Sequence, residues 1–424
     1  MPESGRDVDA VTRALVDLVG RDHVTAPTPG ATTPVWRVAP GSVVEIAGLV
    51  RAAPGLGVVV APAGSGRRPP VHARPTVQTS MARLCHVLAL DERSLTAHVQ
   101  VGLTGVDLEA QLVPRGLSLG DYPPAVMRST LGGIVAVRTH GKSSARTGFF
   151  EDNVLGVSAV LADGRTIHTR IAPRRATGPD LARALCGSEG AIGILTSLVL
   201  RLHRAPEARF ATAYALPSVA AAVAAVQLAL REEAAPSGVR IYDEAEARVH
   251  FAELDLALGD GEALLVAGTA GPTDLAACDR DLVSSAAIAE GGRLASPALA
   301  ELWWRRIHGG APTPAPTPTT QLMATPGRLV RVYGAIAAAA AEAGLALRAH
   351  VSRFDADGAV VFVTLVRGGA VLAETDPGAV AVVLAAEGAG AFPLGARSLR
   401  LDGYLAALRT AIDPDGVLSP EALT

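Results

Sequence analysis

Lysine is nearly missing from this chain: Lys142 is the sole example among 38 Lys and Arg residues. Arginine carries the rest of the positive charge, which together with abundant Ala and Gly reflects a GC-rich coding bias rather than a physical requirement. Formal net charge is −3 and no basic or acidic block occurs, which argues against nucleic acid and anionic membrane as partners. Cysteine is scarce as well. Cys85, Cys186 and Cys278 are odd in number and far apart, so neither a disulfide framework nor a clustered metal site follows, and a reducing cytoplasm is the expected compartment. No uncharged apolar run reaches membrane-spanning length; the alanine-rich stretch 335–341 is too short and too weakly apolar. The polar first residues start no signal peptide. Aromatics make up only 4%, so each one that occurs is informative.

Small and apolar residues are what the chain has in quantity. At 424 residues, 49% of them hydrophobic, it can bury a large core and divides by length into two or three domains. Its most distinctive stretch is 129–152, which reads S-T-L-G-G-I-V-A-V-R-T-H-G-K-S-S-A-R-T-G-F-F-E-D. Gly132, Gly133, Gly141 and Gly148 punctuate it, with Ser129, Thr130, Ser143 and Ser144 between them and His140, Arg138, Lys142 and Arg146 close by. Glycine lets backbone approach a flat or phosphorylated ligand closely, so the stretch is expected to form one wall of a cofactor cradle.

Periodicity places helices over 7–18 (Val11, Leu15 and Leu18 on one face) and over 41–53, the latter capped by Ser42 and closed at Pro54-Gly55. A short buried strand at 58–61 runs into Pro62-Ala-Gly-Ser-Gly66. Such a turn presents successive backbone N–H groups to a pyrophosphate, or is simply a tight turn; Arg67 and Arg68 favour an anion. Pro69 and Pro70 exclude the helix that a Rossmann fingerprint needs there. Strands follow at 87–91 and 95–101, a helix at 106–112, a loop at 119–127, a hairpin turning at 162–164, a helix at 181–185 and a strand at 197–202. Beyond Pro206 the pattern changes to strands at 211–215, 238–243 and 263–268 alternating with helices at 218–228 and 273–287, as in a separate α+β domain. The run Pro312–Pro318 is polyproline-like, a linker or a lid. A helix at 329–343, a hairpin of 346–353 with 359–365, and a C-terminal helix from Tyr404 complete the chain.

Four motifs in order carry a resemblance. Pro62-Ala-Gly-Ser-Gly66, Thr130-Leu-Gly-Gly133, Gly187-Ser-Glu-Gly-Ala-Ile-Gly-Ile-Leu-Thr196 and Asp413-Pro-Asp-Gly-Val-Leu-Ser-Pro420 are similar, in sequence order, to the FAD loops and closing segment of the vanillyl-alcohol oxidase and p-cresol methylhydroxylase superfamily. Within it, Ala176-Thr-Gly-Pro-Asp180, Pro236–Asp243, Trp303-Trp-Arg-Arg306 and His350–Ala359 resemble the alkylglycerone-phosphate synthase-like members, with glycolate-oxidase and D-lactate-dehydrogenase-like flavoproteins next. The resemblance implies an α+β fold: a two-subdomain FAD-binding domain over 1–204, a cap with an antiparallel sheet over 205–395, and a segment 396–424 returning to the FAD domain. It implies FAD as cofactor and stable homodimers. It places Pro62, Ala63, Gly64, Ser65, Gly66, Arg67, Arg68, Ser129, Thr130, Gly132, Gly133, His140, Gly141, Ser143, Ser144, Glu189, Gly190, Gly193 and Ile194 around the flavin.

The departures from that pattern bear on chemistry. Ser65 replaces a usual glycine, and Arg67 and Arg68 replace small polar residues. No histidine stands at the usual linkage position, so the FAD is expected to be non-covalent. The synthase's acid–base tyrosine aligns with Phe362, and the family's histidine-rich segment falls on 386–392, which has no histidine. A flavin oxidation still needs a proton acceptor. Candidates are His350, His308 and His140, each also readable as an ordinary hydrogen-bonded histidine. Arg240 and Arg353 are candidates for gripping a planar anion, although an Arg240–Asp243 structural pair is an equal reading. The expected function is an FAD-dependent oxidoreductase acting on a small polar or acidic metabolite, with bacterial specialised metabolism as one setting. A synthase-like net non-redox flavin enzyme and a catalytically degenerate FAD-fold scaffold are the alternatives.

Overall fold

A computed structural model describes residues 8–64, 74–120, 122–138, 146, 148–169, 180–309, 319–394 and 403–418. The first helix, Val8–Val19, buries Val11, Leu15 and Val19 at a spacing of four, so its core stripe ends on Val19 with Leu18 at the margin. It is fixed by Trp36, whose Nε1 donates to Thr12 Oγ1 at 2.9 Å. The second helix starts where Ser42 accepts from the Glu45 N–H, but it runs past Pro54 to Leu56. Gly57 ends it instead, because only at φ 64 can its N–H turn back to the carbonyls of Ala53 and Pro54.

These helices cover a four-stranded sheet ordered Val24–Thr25, Val35–Val38, Thr76–Ser80, Val59–Ala63, whose last two pairings are parallel. A second, wholly antiparallel sheet runs Val87–Asp91, Thr96–Gln100, Ile194–Arg201, Val154–Val160, Thr166–His168. One hydrophobic core joins both sheets. The chain's far end enters it too. Val417 and Leu418 are buried there, with Leu418 bridging Val60 in parallel. The carboxylate of Asp413 holds this return, accepting from the N–H of Val417 (2.8 Å) and of Leu418 (2.7 Å).

After Arg204 the chain builds a nine-stranded antiparallel sheet with the main path Arg293–Leu294, Ala208–Leu216, Ala263–Gly271, Gly238–Tyr242, Ala346–Ser352, Ala359–Arg367, Thr320–Ala324, Phe392–Pro393. Alternation along Gly238–Tyr242 sorts the two faces. Val239 and Ile241 meet the helices Val219–Arg231, Thr273–Ala289, Leu329–Glu342 and Pro377–Gly388 in one core. Tyr242 points the other way, into a smaller cluster under Pro297–Ile307 and Glu244–His250. The sequence pattern does not predict the helices Glu244–His250, Pro297–Ile307 and Pro377–Gly388. The Trp303-Trp-Arg-Arg306 run thus lies on a helix, with Trp303 buried and Arg306 bonded to the His250 carbonyl and to Glu253. The proline-rich 312–318 run lies outside the described residues. Among the described residues, no helix is long and apolar enough to cross a membrane.

Removing the Asp413 carboxylate leaves two buried backbone donors without partners. Asp413→Ala is therefore expected to lower unfolding stability by about 2 kcal/mol, read as a shifted urea midpoint at unchanged slope; an unchanged midpoint would show that the C-terminal return is not held there.

Candidate functional site

Three segments far apart in sequence are bonded into one cleft. At the end of the Thr96–Gln100 strand, the carbonyls of Val101 and Leu103 accept from Gly132 N–H (2.9 Å) and Leu131 N–H (2.8 Å). This seats the short helix Leu131–Ala136, and Thr130 caps it by accepting from Gly133 N–H at 3.3 Å. The helix end in turn holds the next motif, since Val135 and Ala136 accept from the N–H of Gly187 (3.0 Å) and Glu189 (3.1 Å). Within that turn Gly187, Glu189 and Gly190 all have positive φ (81, 49 and 85). Gly187 has a second reason to be glycine, because a Cβ there would lie 2.5 Å from Arg138 Cδ. Arg138 is held across it by Glu151 at 3.0 Å.

The fourth wall is the end of Val59–Ala63. A Cβ placed on Gly64 would come 2.7 Å from Thr130 Oγ1, and one on Gly133 3.1 Å from the same oxygen. The two loops touch through bare backbone, the arrangement that close approach to a flat ligand requires. Together the segments line a cleft of about 280 Å³. Of the sequence-predicted residues, Pro62, Ala63, Gly64, Ser129, Thr130, Gly132, Gly133, Glu189, Gly190 and Gly193 lie along it. Ile194 does not: it is fully buried and pairs with Val160 in the core, because alternation turns it away from the cleft that Gly193 and Leu195 reach. Met81, Val101 and Ser188 also line the cleft. The sequence carried no signal for the first two, which arrive from strand ends. Ser65, Gly66, Arg67, Arg68, His140, Gly141, Ser143 and Ser144 lie outside the described residues.

The cleft has the donor set and shape to receive part of an FAD: small residues, exposed backbone and apolar side chains from Met81, Val101 and Leu195. Gly132 serves it indirectly. Its Cβ would meet Val101 Cβ at 2.7 Å, so glycine there lets the helix seat on the strand rather than admitting the ligand.

The cap residues form a second group, none of which lines this cleft. Strand register places Tyr242 opposite His350 and His350 opposite Phe362, one transverse row on one face. The His350 and Phe362 rings stack at 4.6 Å and 7°, and Tyr242 flanks His350 at 5.5 Å. His350 Nδ1 lies 3.5 Å from Glu246 Oε1. Burial pushes the His350 pKa below its ordinary value, with Glu246 pulling the other way and Arg240 adding to the fall. Glu246 also faces Arg348 at 3.8 Å. The sequence reading missed this acid. It stands on the helix that Asp243 caps by accepting from Glu246 N–H at 2.8 Å, and only the fold brings its carboxylate to His350.

The Arg240–Asp243 pair does not form. Asp243 accepts from Ala349 N–H (2.7 Å) and the Tyr333 hydroxyl (3.2 Å), while Arg240 donates to the Tyr242 hydroxyl (3.3 Å). Arg353 lies over the Phe362 ring with Cζ 5.8 Å from its centroid. His308 stands apart from this row. It ends the Pro297–Ile307 helix, stacked on Trp304 at 4.2 Å with Nδ1 2.8 Å from the Trp304 carbonyl, so helix-end packing occupies the ring.

If the bare approach of Gly64 to Thr130 shapes the cofactor cleft, Gly64→Val pushes the two walls apart. The variant is expected to purify folded, by circular dichroism, with FAD content well below one per chain; full occupancy would remove Gly64 from the cradle.

Comparison with known proteins agrees with this geometry. A family profile described as an FAD binding domain matches residues 34–170, and one described as the C-terminal domain of FAD linked oxidases matches residues 205–351. The chain is 36% identical over 221 residues to an alkyldihydroxyacetonephosphate synthase of Dictyostelium discoideum, a match covering 51% of this chain and 36% of that protein. It is 30% identical over 181 residues to an uncharacterized FAD-linked oxidoreductase of Escherichia coli, covering 42% and 37%. These matched stretches span little more than a third of the relatives' own length. Among solved structures, an alkyldihydroxyacetonephosphate synthase superposes with TM-score 0.73 at 24% identity over 92% of this chain and 76% of that one. A p-cresol methylhydroxylase superposes with TM-score 0.69 at 15% identity over 98% and 96%, and likeness at this identity speaks to the fold. The chain thus carries an FAD binding domain followed by the C-terminal domain of FAD linked oxidases.

Proposed function

We propose that this protein is an FAD-dependent oxidoreductase, an oxidase or dehydrogenase, acting on a small polar or acidic metabolite. The single observation that carries the reading is the His350 arrangement: a buried imidazole whose burial favours the neutral form, next to a carboxylate and stacked on an apolar ring. A bound FAD supplies the acceptor for the substrate's hydride equivalent. His350 takes the substrate proton, and Glu246 orients the ring and steadies the imidazolium that forms. Phe362 excludes water from one side of the imidazole. Gly64, Thr130, Gly133 and the 187–190 turn hold the cofactor without a covalent link.

A synthase-like, net non-redox reaction is the second reading, supported by the 36% identity to the Dictyostelium synthase. Against it stands Phe362, which has no ionisable group where the resemblance calls for a tyrosine.

An absorption spectrum of the purified protein, taken before and after acid precipitation, tests the cofactor: flavin released to the supernatant supports non-covalent FAD. Anaerobic mixing with a panel of 2-hydroxy acids is then expected to bleach the flavin under the oxidoreductase reading. A yellow protein that no panel member reduces would favour the synthase-like reading, and a colourless one that takes up no added FAD would end both.

His350→Gln is expected to slow reduction by roughly 10²–10⁴-fold. A base works deprotonated, and burial lowers its pKa. Activity should therefore hold from neutral pH to below pH 6.5 and fall only as pH drops through that depressed value. Glu246→Gln removes the group that raises the His350 pKa, so the acid limb should move to still lower pH. An acid limb that stays in place would separate Glu246 from the base.

A further inference from the structure

The cap sheet carries a cation that none of the described residues neutralises. Arg353 immediately follows the strand Ala346–Ser352 at φ 53, in the left-handed region that a long side chain enters only with strain. Its Nη1 is sealed from solvent and donates to no group. Its directional contact is the Phe362 ring. Burial alone draws its pKa down to about 9, with no carboxylate opposing the fall.

The neighbouring acids are committed elsewhere. Glu246 faces His350 and Arg348. Asp243 is taken by the Glu246 and Ala349 N–H groups and the Tyr333 hydroxyl, and Asp355 accepts from Asp357 and Gly358 N–H, both at 2.9 Å. Other enclosed arginines contrast with it: Arg306 reaches Glu253, and Arg146 pairs with Asp279 at 3.1 Å. A sequestered cation without a counter-ion is strongly destabilising. A fold that keeps one at a strained position points to a partner arriving from outside. The location suits a small molecule. Asp355, two residues on, lies close enough to Asp152 of the first domain to feel its charge, which puts Arg353 near the seam between the domains.

We propose that Arg353 anchors the anionic group, a carboxylate or a phosphate, of this protein's small-molecule substrate beside the Phe362 ring. The inference rests on the reading of the cap face as the substrate side. Arg240, whose guanidinium is engaged by the Tyr242 hydroxyl, adds positive field without being the anchor. The Phe362 ring that Arg353 overlies also stacks on His350, so the anchor and the base share one ring.

The test is isothermal titration of the FAD-loaded protein with acetate, D-lactate, L-lactate, inorganic phosphate and the neutral propane-1,2-diol. Saturable binding of a carboxylate or of phosphate, but not of the diol, is expected, and the anion that saturates names the source. Arg353→Met should weaken that binding about tenfold or more, and Arg353→Lys by less. In anion-free buffer Arg353→Met should melt no lower than the parent, because it removes an uncompensated charge. Absence of any anion binding, equal affinity in Arg353→Met, or a melting point several degrees lower in that variant would overturn the proposal; the last would mark the guanidinium as structural. Failure of the oxidoreductase reading looks different. Anions that bind through Arg353 yet never bleach the flavin sink that reading and keep this one. Bleaching by a neutral alcohol at an unchanged rate in Arg353→Met does the reverse.

Discussion

The backbone hydrogen bonds that tie the Leu131–Ala136 helix to its neighbours are the constraint on which the first domain's cleft depends. At one end, Val101 and Leu103 receive the N–H groups of Gly132 and Leu131; at the other, Val135 and Ala136 receive those of Gly187 and Glu189. The groups at a short helix's ends would otherwise lack partners, and here each is spent on joining a different part of the chain. Glycine at 132 and 187 follows from that closeness: one would strike Val101 and the other Arg138 if it bore a Cβ. A glycine in a motif that invites a ligand is therefore, at 132 and 187, a place where protein meets protein.

The cap obeys a different rule, the period-two alternation of an antiparallel sheet. Its apolar positions face four helices, and the opposite positions of the same strands are left for chemistry. Register then aligns Tyr242, His350 and Phe362 in one row. The loss of an ionisable group at Phe362 is matched by a gain, since its flat apolar ring buries His350 and favours the neutral imidazole. Glu246, delivered by the helix that Asp243 starts, limits that fall.

Charge on this face is unbalanced in a consistent direction. Among the described residues, Arg348 and His350 share Glu246, Arg240 donates to the Tyr242 hydroxyl, and Arg353 has no carboxylate, as Asp243 is consumed by backbone donors and a hydroxyl. Such a field favours negatively charged small molecules over neutral ones.

The family likeness and most of the cleft's lining were legible in the sequence, because motifs such as Thr130-Leu-Gly-Gly133 and Gly187-Ser-Glu-Gly190 encode local backbone shape, and local shape follows from residue type. The early helices and most strands were legible for the same reason, through caps and periodicity. Other features are set by contacts between residues far apart. Ile194 looked like its neighbours in the motif and turned out to face the core, since strand alternation, not motif membership, aims a side chain. The Arg240–Asp243 pair was plausible by spacing, yet Asp243 found partners 90 and 106 residues away, at Tyr333 and Ala349. Glu246 carries no signal in the sequence, and folding brings His350 beside it. The sequence alone determined which backbone could approach a flavin; only the tertiary structure decided which charges on the cap are paired and which are left waiting, because pairing depends on distance in space and burial, and neither is written in the order of residues.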